Sequence, residues 1–173
     1  MEKKIYALTF VCQDRPGVVA SVAKVLYDNG FNVEDSSSTR LKGVFSMIFL
    51  VKHDKSYAPE EIAALFPDGL RPAVNHVSPI PEDDCDRDSY VISVYGADKP
   101  GIIYSIASAL AENGINIVDL QTQATGTAPR EIYIMILEVI PPDGSEAWIE
   151  RVKATAAAIH TDITVRRYET YEL

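Results

Sequence analysis

The tetrad Asp14-Arg15-Pro16-Gly17 returns 84 residues later as Asp98-Lys99-Pro100-Gly101. The likeness continues past the tetrad. Asp14 to Ser38 reads DRPGVVASVAKVLYDNGFNVEDSSS, and Asp98 to Thr122 reads DKPGIIYSIASALAENGINIVDLQT. Ten of these 25 aligned positions are identical, the first being Asp14/Asp98 and the last Asp35/Asp119. Unrelated stretches of ordinary composition would share about one or two. The chain therefore reads as two copies of one supersecondary unit. Its 173 residues suit one average domain or two small ones, and the repeat selects two. The expected bounds are 1–81 and 89–173, joined by an acidic linker at 82–88. Domains of about 80 residues hold marginal cores, so docking between copies or a homo-oligomer is expected.

The same grammar recurs in both copies. Ile5 to Gln13 is apolar and β-branched, and predicts a strand. Pro16 suits a first helical turn, and Val18, Val19, Val22, Ala23 and Leu26 then fall at helical spacing. Gly30 follows the last apolar position, as a left-handed C-terminal cap would. Phe31 to Thr39 and Val44 to Lys52 predict two more strands around a turn at Leu41-Lys42-Gly43. In the second copy the strands are expected at Ser89 to Tyr95, Ile115 to Gln123, Arg130 to Ile140 and Ile163 to Tyr168. Ile102, Ile103, Ile106, Ala107 and Leu110 form a helix face ending at Gly114. A further helix is expected over 145–159, with Ser145 as its N-cap. The first copy's counterpart is interrupted by Pro67 and Gly69. It predicts a short helix at 60–66, a turn near 70–75 and a strand from His76 to Ile80. Each copy thus reads β-α-β-β-α-β. The fold class is α+β: two ferredoxin-like domains, each a four-stranded antiparallel sheet with both helices on one face.

Charge excludes some functions. Residues 1–81 carry nine Lys/Arg and nine Asp/Glu, 82–88 one and five, and 89–173 six and eleven. The three segments are net 0, −4 and −5, which accounts for the chain's −9. No domain is basic, and nucleic-acid affinity rests on neutralising phosphates, so no direct nucleic-acid contact is expected. Lys42 to Phe49 has the Lys-Gly start and final Phe of an RNA-recognition strand, but Val44, Phe45 and Ser46 break the pattern. Cys12 sits in an apolar run and Cys85 in the acidic linker, with no CxxC spacing; this usage fits a reducing cytosol. The N-terminus lacks the apolar core of a signal peptide, and no 18-residue apolar run occurs. A cytoplasmic protein without membrane contact is expected. His53, His76 and His160 have no metal-ligand spacing, and no nucleophile elbow, P-loop or dinucleotide fingerprint occurs. No catalytic residue, metal or cofactor is expected.

The repeated corner is where chemistry could sit. Asp14, Arg15, Pro16 and Gly17 join a strand end to a helix start, as do Asp98, Lys99, Pro100 and Gly101. A helix N-terminus presents unpaired N–H groups and partial positive charge. A glycine there lets a carboxylate or phosphate approach. The competing reading is structural: Asp caps the helix, Pro starts it and Gly packs closely. A second polar position recurs in register, Asn32 and Asn116, at the start of the next strand. They are expected beside or across from the Pro-Gly turn. An Asn amide both donates and accepts, which suits a zwitterion, though it could equally bond its own backbone.

The D-[RK]-P-G turn, the amphipathic helix and the N-G-[FI]-N-[VI] segment resemble the ACT domain, over most of residues 5–80 and 89–169. ACT domains are small regulatory modules that often bind amino acids and commonly pair side by side, with ligands at interfaces near the first loop and second strand. A chain of two such domains is similar to the glycine cleavage system transcriptional repressor group. The resemblance implies ligand contacts at Asp14, Arg15, Pro16, Gly17, Asn32 and Val33 in the first copy. In the second it implies Asp98, Lys99, Pro100, Gly101, Asn116 and Ile117. The position that is often Gly before the turn is Gly96 in the second copy but Cys12 in the first, which favours the second corner. The implied function is a non-catalytic amino-acid sensor, with glycine or serine as ligand. It would act on a regulatory protein partner such as a transcription factor of glycine metabolism. The alternatives are a regulatory subunit of a biosynthetic enzyme and a constitutive interaction module without ligand.

Overall fold

A computed structural model describes residues 4–78, 88–126, 132–142 and 145–168. The chain divides into two compact units, Met1–Pro81 and Glu82–Leu173; of the expected acidic linker, residues 82–87 lie outside the described residues. The first unit runs β1 (Lys4–Gln13), α1 (Val18–Asp28), β2 (Asn32–Leu41), β3 (Val44–His53), α2 (Pro59–Ala63), a 3₁₀ turn (Asp68–Leu70) and β4 (Ala73–Val77). The second runs β5 (Tyr90–Ala97), α3 (Ile102–Glu112), β6 (Asn116–Thr125), β7 (Ile132–Ile140), α4 (Ala147–Ala158) and β8 (Asp162–Arg167). The sheets are ordered β2-β3-β1-β4 and β6-β7-β5-β8, and every pair is antiparallel. Both units are therefore ferredoxin-like α+β.

Alternation along the central strands builds each core. Tyr6, Leu8 and Phe10 of β1 and Met47, Phe49 and Val51 of β3 turn inward under Val18, Val22 and Leu26 of α1. The second unit repeats this with Ile92 and Val94, Met135 and Leu137, and Ile106 and Leu110. The helix faces are narrower than expected. Val19, Ala23 and Ile103 are exposed and Ala107 is half-buried, whereas Ala109 is buried. The buried line of α1 runs i, i+4, i+8, and a residue one step round turns about 100° away from it.

Both first helices end alike. Gly30 N–H donates to Tyr27 O and Phe31 N–H to Leu26 O; Gly114 and Ile115 repeat the pair on Ala111 and Leu110. This is a Schellman motif, and it requires the positive φ of Gly30 and Gly114. Asn29 Nδ2 and Asn113 Nδ2 each donate back to a carbonyl four residues earlier, at 2.8 and 2.7 Å.

The first unit's second half differs from expectation. α2 stops at Ala63 rather than 66, the turn falls at Asp68–Leu70, and β4 begins at Ala73 rather than 76; residues 79 and 80 lie outside the described residues. Pro72 explains the early strand: it biases Arg71 to extended backbone, where ψ is 125°, and Ala73 then pairs with Thr9. In α4 the cap position is Glu146, not Ser145, although Ser145 Oγ still accepts the Ala147 N–H at 3.3 Å. Among described residues no helix is long and apolar enough to cross a membrane.

A tyrosine that sequence reading passed over ties the same strand to the same region in both copies. Tyr57 N–H donates to Tyr6 Oη at 2.8 Å, and Tyr90 Oη donates to Glu146 Oε1 at 3.1 Å. Burial, reinforced by the Glu146 hydrogen bond and charge, pushes the Tyr90 phenol up from its usual range. Replacing Tyr6 by Phe leaves the Tyr57 N–H without its acceptor. The expected cost is about 1–2 kcal/mol in urea unfolding, and a change of a few tenths would show the bond to be idle.

Candidate functional site

The two corners have the same build. Each helix starts after a glycine in the left-handed region, Gly17 at φ 86° and Gly101 at φ 95°, with no side-chain cap. Two sequence expectations are corrected here. Pro16 lies before the helix rather than in its first turn, since α1 begins at Val18. Asp14 does not cap it either: its carboxylate pairs with Arg40 Nε at 2.8 Å, and its N–H donates to Gly43 O at 3.2 Å. The first bonded amide of α1 is Ser21 N–H on Gly17 O at 2.9 Å, and Ser105 N–H on Gly101 O repeats it. The amides before these, at the positive tip of the helix, are the groups an anion could bind. A Cβ at Gly17 or Gly101 would meet nothing within 4 Å. The glycines serve the backbone conformation, and the space in front of them is open.

Each corner opens on a shallow depression, about 540 Å³ in the first unit and about 510 Å³ in the second. Their linings differ. Asp14, Arg15, Gly17, Ala20 and Phe45 line the first; Asp98, Lys99, Gly101, Tyr104 and Tyr133 line the second. The repeat puts Tyr104 where the first copy has Ala20, and the register puts Tyr133 where it has Phe45. Two phenols thus replace a methyl and a phenyl.

The asparagines do not join the corners of their own units, contrary to expectation. Asn32 pairs with Lys52, which pairs with Ile5, whereas the first corner follows Gln13. Ile5 and Gln13 are eight steps of strand apart, about 27 Å. Asn116 pairs with Ile140, beyond the Tyr90 end of β5, while the second corner follows Ala97 at the other end. The reason is topological: a β-α-β crossover returns the chain to the end where its first strand began. That rule was available from the element order alone.

Asn32 Nδ2 donates to Glu34 Oε1, and Lys52 pairs with the same carboxylate. The side chain of Asn116 has no hydrogen-bond partner among the described residues. Val33 is partly exposed and Ile117 packs on the edge of its core. Each of these positions precedes a β-bulge, between Val33 and Asp35 and between Ile117 and Asp119. No sequence signal marks the bulges except their recurrence in the repeat. Gly96 also has an internal explanation: a Cβ there would meet Thr161 Cγ2 at 2.8 Å. Its counterpart Cys12 packs against the first core as a small hydrophobe.

Each half of the chain is thus a small βαββαβ unit whose first helix starts uncapped behind a left-handed glycine. The family model of the ACT domain matches residues 6–60 and 90–155, and the chain belongs to that family, with one ACT domain in each half. A bifunctional uridylyltransferase/uridylyl-removing enzyme of Burkholderia lata is 24% identical over 147 residues, which is 71% of this chain and 17% of that enzyme. The chain thus spans about a sixth of the length of the first curated relatives it matches. A UPF0237 protein of Methanocaldococcus jannaschii is 41% identical over 58 residues, 34% of this chain and 62% of its own. Among solved structures, an unknown protein from Galdieria sulphuraria matches with TM-score 0.78 at 24% identity, covering 97% of this chain and 100% of that one. A candidate glycine cleavage system transcriptional repressor matches with TM-score 0.73 at 16% identity, covering 98% and 100%. At such identities these two structures show the shared tandem fold alone.

Proposed function

We propose that this protein is a non-catalytic amino-acid sensor of the cytoplasm that changes its contact with a protein partner when ligand binds. What carries the reading is the duplicated corner: an uncapped helix tip behind a left-handed glycine, opening on a depression of about 540 or 510 Å³. A ligand carboxylate suits the helix tip, and its ammonium suits an aspartate or an asparagine oxygen. Because corner and asparagine lie at opposite ends of one sheet, a complete site needs a second domain. β2 and β6 are both sheet edges along which every residue except Ile117 is exposed, and such long edges invite pairing. Antiparallel pairing of second strands between two copies of the chain would bring the asparagine of one to the corner of the other. Glycine and serine are the ligands of first choice, being small enough for a shallow pocket.

The ligand acts by linkage: it favours the paired arrangement, and the partner binds that arrangement with altered affinity. The proposed partner is a transcription factor of amino-acid metabolism. A biosynthetic or modifying enzyme is the second reading, favoured by the match to a segment of a much longer bifunctional enzyme. Calorimetry on the full chain against each of the twenty amino acids is expected to show binding for at least one at millimolar concentration or below. Heat from none of them would remove the sensing reading, and pulldown with and without that amino acid would separate transcription factor from enzyme.

A further inference from the structure

The face of the second sheet turned away from α3 and α4 is apolar at its centre and charged at one end. Ile92, Val94, Met135 and Leu137 point into the core. Alternation therefore turns Ser93 and Tyr95 of β5 and Ile132, Ile134 and Ile136 of β7 to the other face. Ile132, Ile136 and Tyr95 are 51, 42 and 39% exposed there. At the charged end the register lines up one row across all four strands. Asp119 of β6 stands opposite Glu138 of β7, Glu138 opposite Val91 of β5, and Val91 opposite Arg166 of β8. Two acids thus hold one side of the row and an arginine the other. Neither Glu138 nor Arg166 has a side-chain partner among the described residues.

We propose that a second copy of the chain packs on this face, sheet on sheet, about a two-fold axis that runs along the strands between β7 and β5. The charged row selects that axis. A two-fold in this direction lays each row over the same row reversed, so β6 of one copy faces β8 of the other. Asp119 and Glu138 then meet Arg166 on both sides of the axis, and unlike charges face each other. The side chains of Ile132 and Ile136 lie over the small Ala97 and Ser93, which share their levels. A two-fold across the strands would instead set Glu138 and Arg166 over the Ile132 end and bury their charges unpaired. The extent suffices. β5 and β7 pair over eight residues in a four-stranded sheet, a face of about 26 by 19 Å. Two such faces cover about 1,000 Å² in total, the lower limit for a specific interface. The first sheet lacks the matching charges: Leu50, Ala7 and Asn75 stand where the second has Glu138, Val91 and Arg166. The contact therefore belongs to the second unit. It leaves the β6 edge free, and it stands whether or not the chain binds an amino acid.

Sedimentation velocity of the full chain across the micromolar range tests this. The wild type is expected to associate reversibly. Glu138 is half-buried and Arg166 exposed, so both can be changed without touching the core. Glu138→Arg and Arg166→Glu each set like charges face to face, and each is expected to raise the dissociation constant about tenfold. Glu138→Arg combined with Arg166→Glu puts unlike charges across the axis again, and most of the affinity should return. A wild type that stays monomeric would overturn the proposal. So would an association that ignores both single changes, since the sheet edges would then hold the copies together. A double variant weaker than either single would overturn it too, because the two charges would not then face each other.

Discussion

Phe10→Ala is expected to cost the first unit about 3–5 kcal/mol, the usual range for deleting a fully buried phenyl. Phe10 is 1% exposed and meets Phe49 and Phe66 edge-on, with ring centroids 6.1 and 5.1 Å apart. The ring therefore bridges β1, β3 and the segment after α2, and the alanine would leave a cavity that three elements cannot jointly close. A domain of ordinary stability holds about 5–15 kcal/mol, so this one change consumes much of it. The two cores are separate clusters, so the loss is expected to be local. Hydrogen exchange should accelerate across β1, β3 and α1 while β5, β7 and α3 stay protected. A uniform loss across both units, or a change under 1 kcal/mol in denaturant, would contradict this account of the core.

Gly96→Ala is expected to cost the second unit about 1–3 kcal/mol, as overpacking does in a closed site. The new methyl would stand 2.8 Å from Thr161 Cγ2, 3.4 Å from its Cβ and 3.6 Å from its Cα. Thr161 cannot swing aside freely, because it is 9% exposed and its hydroxyl donates to Ala156 O at 3.1 Å. Thr161→Ser removes the offending methyl and keeps the hydroxyl. In a double-mutant cycle it should return most of the loss, which would appear as a coupling energy of the same order. An additive pair would mean that Gly96 is required for some other reason, such as close approach of a ligand backbone.

Gly96 is a position whose sequence context misleads, because the constraint on it is the Thr161 side chain of its own unit. Its place just before the corner made it look like part of the site, and Cys12 in the first copy looked like a departure from it. Both residues answer to packing against their own units. Asp14 similarly looked like a helix cap, yet a helix that starts behind a left-handed glycine leaves the aspartate free to bond across to Arg40. The strands and helices were more legible. Outside the first unit's second half, the expected and observed bounds of the fully described elements agree to within two residues. Pro67, Gly69 and Pro72 obscured that half, since each breaks periodicity without saying where the next element begins.

What the amino-acid order determined by itself was the duplication, the β-α-β-β-α-β grammar and the glycine-terminated helices. Each of these depends on neighbours within a turn or two: apolar spacing, a residue able to take positive φ, a proline without an N–H. The tertiary structure alone decided which partner each polar side chain has. Arg40 reaches Asp14 only because β2 and β1 flank β3 in a particular register, and β6 sets Ala124 at the same place with nothing to offer Asp98. Register couples residues far apart in the chain, and a single slip would turn every one of these side chains to the opposite face.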